Sequence, residues 1–175
     1  LDRYTLGLNK GELILIAARP GMGKTSIALN IALEVAKKSK KAVAVFSLEM
    51  SREQLVSRLL SAEGSVPSQK LLTGQLSAEE WKLVAGAAQV ISATDMRIDD
   101  NPLLSVSDMN AQCRRINDLG LVVIDYLQLM QSAGTDSRQY SGENRQQVVS
   151  DISRMLKIMA KELNVPVICL SQLSR

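Results

Sequence analysis

Five short apolar runs punctuate the chain, each bounded by turn-forming or charged residues. Residues 11–18 (GELILIAA), 42–49 (AVAVFSLE), 96–99, 121–125 (LVVID) and 165–171 (VPVICLS) are too short for helices and rich in Val, Ile and Leu. They read as buried strands. Between them apolar residues recur every three or four positions, the helical period. A helix is predicted from Lys24 to about Lys38. Another opens at Ser51, with Glu53 and Gln54 in its first turn and Leu55, Val56, Leu59 and Leu60 on its apolar face. A short helix is expected at 67–72. Ser77 with Glu80 forms a capping-box signature ahead of a helix to about Ser92. Ser105 and Asp108 start another, expected to reach Asp118. The last helix spans 143–163 and turns Val148, Val149, Ile152, Met155, Leu156, Met159 and Leu163 inward. Residues 132–142 are polar and rich in Gly and Ser, so they read as a mobile loop.

Strands alternating with helices define an α/β fold with a mainly parallel sheet flanked by helices. Strands that are apolar throughout fit a sheet covered on both faces. No internal repeat or interdomain linker is visible. The 175 residues suit one domain, and such a chain buries about 70% of the surface its unfolded form exposes. The apolar fraction of 46% and charged fraction of 22% exclude a disordered or collagen-like chain. No apolar run approaches a membrane span and no signal-peptide pattern opens the sequence, so no membrane partner is expected. The chain opens on Leu1 and stops just after an apolar strand, which predicts a segment of a longer protein.

Composition narrows the chemistry. The net charge of +3 permits a nucleic-acid partner without demanding one. Aromatic residues are 3% of the chain, too few for a base-stacking platform. Histidine is absent, which excludes a Ser-His-Asp triad, a histidine zinc site and a histidine base. Cys113 and Cys169 lie far apart and read as reduced, buried residues of a cytoplasmic protein. The run Lys37-Lys38-Ser39-Lys40-Lys41 reads as a solvated helix C-terminus rather than a DNA site.

Four features carry chemistry. The first is Ala18-Arg19-Pro20-Gly21-Met22-Gly23-Lys24-Thr25, followed by Ser26, between a strand and a helix. It follows the phosphate-loop pattern except that Ala18 replaces the first Gly. Glycines there let successive N–H groups face phosphate oxygens, and the helix N-terminus adds partial positive charge. Lys24 is placed to reach the β- and γ-phosphates and the Thr25 hydroxyl to ligate Mg²⁺. The second is Asp125, ending an apolar strand, the pattern of a carboxylate that holds Mg²⁺ at the ligand edge of a parallel sheet. The third is Glu49, read as ending its strand. Without histidine, a carboxylate must activate the attacking water; the alternative is an acidic residue beside a helix N-terminus. The fourth is Gln172, after the last strand, either a γ-phosphate contact or an ordinary polar loop residue.

Together these stretches resemble the RecA-like motor domain of the replicative hexameric DNA helicases of the DnaB type. The resemblance is carried by Leu1-Asp2 to Thr5 with Gly7-Leu8, Ala17 to Thr25, Phe46-Ser47-Leu48-Glu49-Met50 and Val123 to Met130, and by the helix from Asn144-Arg145 to Leu163 with Val165-Pro166-Val167 and Leu170 to Arg175. It covers essentially the whole chain, and Ala18 fits this family's version of the loop. The resemblance implies a RecA-like P-loop NTPase core over residues 1–175, with ATP and Mg²⁺ as cofactors. It implies that Lys24 and Thr25 bind nucleotide and Mg²⁺, that Glu49 is the catalytic base, that Asp125 is the Walker B carboxylate and that Gln172 couples γ-phosphate to DNA-binding loops. It further implies ATP-driven 5′ to 3′ translocation on single-stranded DNA by a homo-hexamer, with primase and a helicase loader as partners. A collar domain and linker helix would precede Leu1. Further strands, a DNA-binding loop and an arginine finger would follow Arg175.

Arg138 and Arg145 lie in or beside the polar loop after Asp125, where they would meet a DNA phosphate or stand solvated at the surface. Competing readings are a RecA-type recombinase or a related ring ATPase of clock or repair function, and a nucleotide-gated assembly scaffold. The scaffold would be marked by loss of Glu49 or Asp125, and both are present. A small-molecule phosphotransferase fits less well, since no arginine-rich lid is evident.

Overall fold

The computed structural model of the chain describes residues 7–125 and 142–173, with side chains from residue 149 onward in the second segment. Five strands form one sheet: β1 (Leu13–Ala18), β2 (Ala42–Ser47), β3 (Met96–Asp99), β4 (Leu119–Asp125) and β5 (Val167–Gln172). Their spatial order is β1-β5-β4-β2-β3 and every pairing is parallel. The helices are α1 (Lys24–Ser39), α2 (Arg52–Gly64), α3 (Ser68–Thr73), α4 (Ala78–Ser92), α5 (Val106–Cys113) and α6 (Gly142–Leu163).

Alternation along each strand sorts the core into two layers. Val43, Val45, Leu121, Val123, Ile168 and Leu170 face α1 and α2, meeting Ala28, Leu29, Ala32, Leu33, Leu55 and Leu59. Ala44, Phe46, Val122, Ile124, Val167 and Cys169 face the other way, meeting Met109 and Cys113 of α5 and Ile152, Leu156, Met159 and Ala160 of α6. The apolar reading of β2 and β4 thus has its cause: both faces are covered. Each fully buried Leu, Ile or Met contributes about 1.5–3 kcal/mol relative to exposure.

Local signals set the helix starts. Ser51 with Gln54, Ser77 with Glu80 and Ser105 with Asp108 each form a reciprocal capping box. Three details differ from the sequence reading. First, β2 ends at Ser47, so Glu49 lies in the turn beyond it. Second, α5 ends at Cys113 instead of Asp118, because the chain must turn back into β4. Asp118 makes that turn with φ of 53°, its carbonyl accepting the Ala42 N–H at 3.1 Å. Gly120 follows under Lys41, where an added Cβ would lie 2.7 Å from the lysine Cβ. Third, Met155 is 43% exposed. It lies on the rim of the stripe formed by Ile152, Leu156, Met159 and Ala160.

The basic run at the C-terminal end of α1 is largely neutralised locally. Lys37 pairs with Glu34 and Glu63, Lys38 with Glu34, and Lys41 with Asp118. Among the described residues no helix is long and apolar enough to cross a membrane.

Candidate functional site

The parallel register lines up the C-terminal ends of four strands. Ala18 of β1 stands opposite Gln172 of β5, and Ser47 of β2 opposite Asp125 of β4. Loops leaving this edge enclose a cavity of about 580 Å³, where open parallel sheets bind ligands.

The loop from Ala18 to α1 forms one wall. Gly21 and Gly23 have φ of 76° and 78°, a conformation that costs L-residues with a side chain roughly 1–2 kcal/mol. Gly23 caps α1 with no side-chain hydrogen bond, and the first turn of α1 contains no acidic residue. The helix N-terminus therefore presents its N–H groups and partial positive charge to the cavity. Arg19 accepts the Met22 N–H on its carbonyl at 3.3 Å, which closes the turn.

Lys24 and Thr25 converge on Asp125. The Thr25 hydroxyl donates to Asp125 Oδ2 at 2.6 Å, and Lys24 Nζ lies 3.4 Å from Asp125 Oδ1. The lysine side chain is 11% exposed and the carboxylate 3%. Asp125 Oδ1 is buried and accepts no hydrogen bond from the described residues. A buried carboxylate needs compensation, and here a cation and a hydroxyl from the phosphate loop supply it.

Glu49 reaches the cavity from its turn, not from the strand itself. That turn is built by Ser47, whose hydroxyl donates to the Met50 carbonyl at 2.8 Å and accepts the Met50 N–H at 3.1 Å. Gln172 is the last residue of β5 and also lines the cavity. Of the phosphate-loop residues, Ala18, Arg19, Pro20, Gly21, Gly23, Lys24, Thr25 and Ser26 line it, while the Met22 side chain is 74% exposed. Arg138 and the side chain of Arg145 lie outside the described residues.

The opposite wall is absent from the sequence reading. Gln54, Ser57 and Arg58 of α2 and Ser68 and Leu72 of α3 line the same cavity, with Met50. The signal in the sequence is the spacing of Gln54, Ser57 and Arg58 at i, i+3 and i+4, one polar face of a helix whose Leu55 and Leu59 point inward. Arg58 is the informative member, a cation lining the same cavity as the phosphate loop.

Sheet order, phosphate loop and the Thr25–Asp125 contact define a RecA-like P-loop NTPase core. Residues 1–175 match the family described as "DnaB-like helicase C terminal domain", and the chain belongs to it. It is 53% identical over its full length to the replicative DNA helicase DnaB of Geobacillus stearothermophilus and 52% identical to the replicative DNA helicase DnaC of Bacillus subtilis (strain 168). The chain spans 38% of the length of each of these relatives. Among solved structures, a DnaB-like replicative helicase described with its primase interactions superposes with a TM-score of 0.87 at 36% identity, covering 99% of this chain and 42% of that one. A second solved structure, that of an ATPase domain, gives the same score and identity over 99% of this chain and 61% of its own. The RadB recombinase, at TM-score 0.55 and 20% identity over 98% of this chain and 66% of its own, shares the fold alone.

Proposed function

We propose that this chain is the nucleotide-hydrolysing part of a replicative DNA helicase motor, using ATP to translocate 5′ to 3′ on single-stranded DNA and unwind duplex. The observation that carries the reading is the meeting of Lys24 and Thr25, which line the cavity, with the buried carboxylate of Asp125, in a chain whose curated relatives are replicative DNA helicases. The same reading places the chain in a homo-hexameric ring, with primase and a helicase loader as its partners.

The residues fit Mg²⁺. The metal prefers oxygen ligands and is usually held by one or two carboxylates together with substrate phosphates. Thr25 and Asp125 offer a hydroxyl and a carboxylate, and the buried Asp125 Oδ1 accepts no hydrogen bond from the described residues. Among the described residues there is no cluster of three or more His, Cys, Asp or Glu that could hold a metal, and a nucleotide-borne Mg²⁺ requires none. Bound there, Mg²⁺ would neutralise charge on the β- and γ-phosphates.

The chain's own groups supply the rest. Backbone N–H groups of the loop and the Lys24 ammonium hold the phosphates. Arg19 and Arg58 add positive charge to the two walls. Glu49 orients and deprotonates the attacking water, and Gln172 at the end of β5 contacts the γ-phosphate region. The test uses the full-length protein on forked DNA with a 5′ single-stranded tail. Unwinding that needs ATP and Mg²⁺, and that is lost in Glu49→Gln while ATP binding is kept, supports the reading. Turnover of Glu49→Gln near that of the unaltered protein would return Glu49 to a helix-flanking acid, since a general base is worth about 10²–10⁴-fold.

A further inference from the structure

Glu49 lies in a turn between β2 and α2, and loops of this kind hold a catalytic group in place only if their own ends are fixed. The upstream end is fixed to β4: the Leu48 N–H donates to the Asp125 carbonyl at 2.7 Å. The middle is closed by Ser47 and Met50. Ser51 and Gln54 cap α2 from within. These last contacts are internal to the turn and fix its shape, not its place on the sheet.

The downstream end is tied to another element. The Arg52 N–H, the first amide of α2, donates to Asp100 Oδ2 at 2.8 Å, and the Arg52 guanidinium lies 3.5 Å from Asp100 Oδ1. Asp100 follows β3 directly, and β3 is in register with β2 so that Asp99 stands opposite Phe46. Asp100 is therefore one step beyond, at the level of Ser47 and Asp125. Its own segment is anchored: Asp99 accepts the Asn101 N–H at 3.0 Å and the Gln112 side-chain amide at 2.9 Å.

We propose that Asp100 is a positioning residue for Glu49, holding the first amide of α2 so that the turn carrying Glu49 is clamped between β4 and the end of β3. The inference rests on Glu49 being the base. Asp100 does not line the cavity; its contacts are with the entry of α2, and it acts through the turn that carries Glu49. Leu55 and Leu59 fix the body of α2 on the core; Asp100 fixes its entry.

The experiment is a double-mutant cycle on DNA-stimulated ATP hydrolysis by the full-length protein, well below the unfolding temperature of every variant. Asp100→Ala is expected to lower kcat by about ten-fold, since misplacement by about 1 Å can cost up to 10²-fold. The affinity for ADP should stay within about two-fold, because the phosphate loop is untouched. Asp100→Asn, whose carbonyl oxygen still accepts the Arg52 amide, should restore most of kcat. In a Glu49→Gln background, Asp100→Ala should cause no further loss of the residual rate. A kcat for Asp100→Ala within about two-fold of the unaltered protein, while Glu49→Gln is inactive, overturns the role of Asp100 and leaves Glu49 standing. An equal loss in both backgrounds also overturns it. Near-normal turnover of Glu49→Gln alone overturns the assignment of Glu49 and this inference together. If Asp100→Ala does not fold, Asp100→Glu, which keeps the charge but displaces the acceptor by one methylene, is judged by the same criteria.

Discussion

Thr25 and Asp125 are 100 residues apart in the chain, yet the threonine hydroxyl donates to the carboxylate at 2.6 Å. One residue lies in the first turn of α1 and the other ends β4, so the contact depends on the sheet being assembled. The same carboxylate has Lys24 at 3.4 Å. A single side chain thus meets both Lys24 and Thr25 of the phosphate loop.

Asp125→Asn tests that arrangement. The amide keeps an oxygen for Thr25 but removes the charge that compensates Lys24 and that the proposed Mg²⁺ site requires. In the unaltered protein Mg²⁺ should tighten ADP binding, and in Asp125→Asn that gain should shrink towards nothing. Calorimetry with and without Mg²⁺ measures it. An undiminished gain would remove Asp125 from the metal site.

Lys24→Ala deletes the loop cation nearest the sheet edge. A charge-assisted hydrogen bond is worth on the order of 1.5–3 kcal/mol, so ADP affinity should fall roughly ten-fold or more. The variant also leaves Asp125 without its ion pair, so a modest loss of thermal stability should accompany it when the protein is unliganded. Unchanged affinity would remove Lys24 from the phosphate site.

Arg58→Ala addresses the wall that the sequence reading lacks. Arg58 is exposed and lines the same cavity as the phosphate loop, so its attraction for an anion is screened. ADP affinity should fall by about three- to ten-fold at low salt, a charged contact at the weak end of its range. The loss should narrow as salt is raised. A loss independent of salt would show that Arg58 acts by packing.

What is legible in the sequence is local or periodic. Capping boxes at Ser51, Ser77 and Ser105 are four-residue signals, and the structure forms all three. The strand ending in Asp125 is visible because both faces of β4 are covered, which leaves an unbroken apolar run before one carboxylate. Glu49 reads as part of the strand because Leu48 continues the apolar run; Ser47 turning its hydroxyl onto Met50 ends the strand earlier, and hydropathy carries no trace of that. Arg58 needs α2 and α3 folded over the loop before it has a neighbour. The Asp100 clamp joins residues 48 positions apart through a backbone amide, a contact that no side-chain pattern announces.

The two cysteines give a prediction with a pH window. Cys113 and Cys169 are both buried and free of disulfides. Burial pushes each thiol up from 9.0 to about 12. For Cys169 the charge of Asp125 adds to the rise, and Lys24 partly offsets it. The folded state therefore keeps its thiol protons in a range where the unfolded chain has lost them. Above about pH 9 the unfolded state binds fewer protons, so stability is intact below that value and declines as pH rises towards 12. Cys169→Ala and Cys113→Ala should each flatten that alkaline decline in urea unfolding curves taken at successive pH values, while lowering stability near neutrality by leaving a small cavity. At about pH 8, where the unfolded thiol is still mostly protonated, a thiol reagent should modify the folded protein only as fast as the core opens. If ADP with Mg²⁺ binds at the proposed site on the edge of the sheet that holds Cys169, it should slow modification at that position by stabilising the closed core. Rapid stoichiometric labelling of either cysteine in the folded protein would contradict both the burial and the pH window.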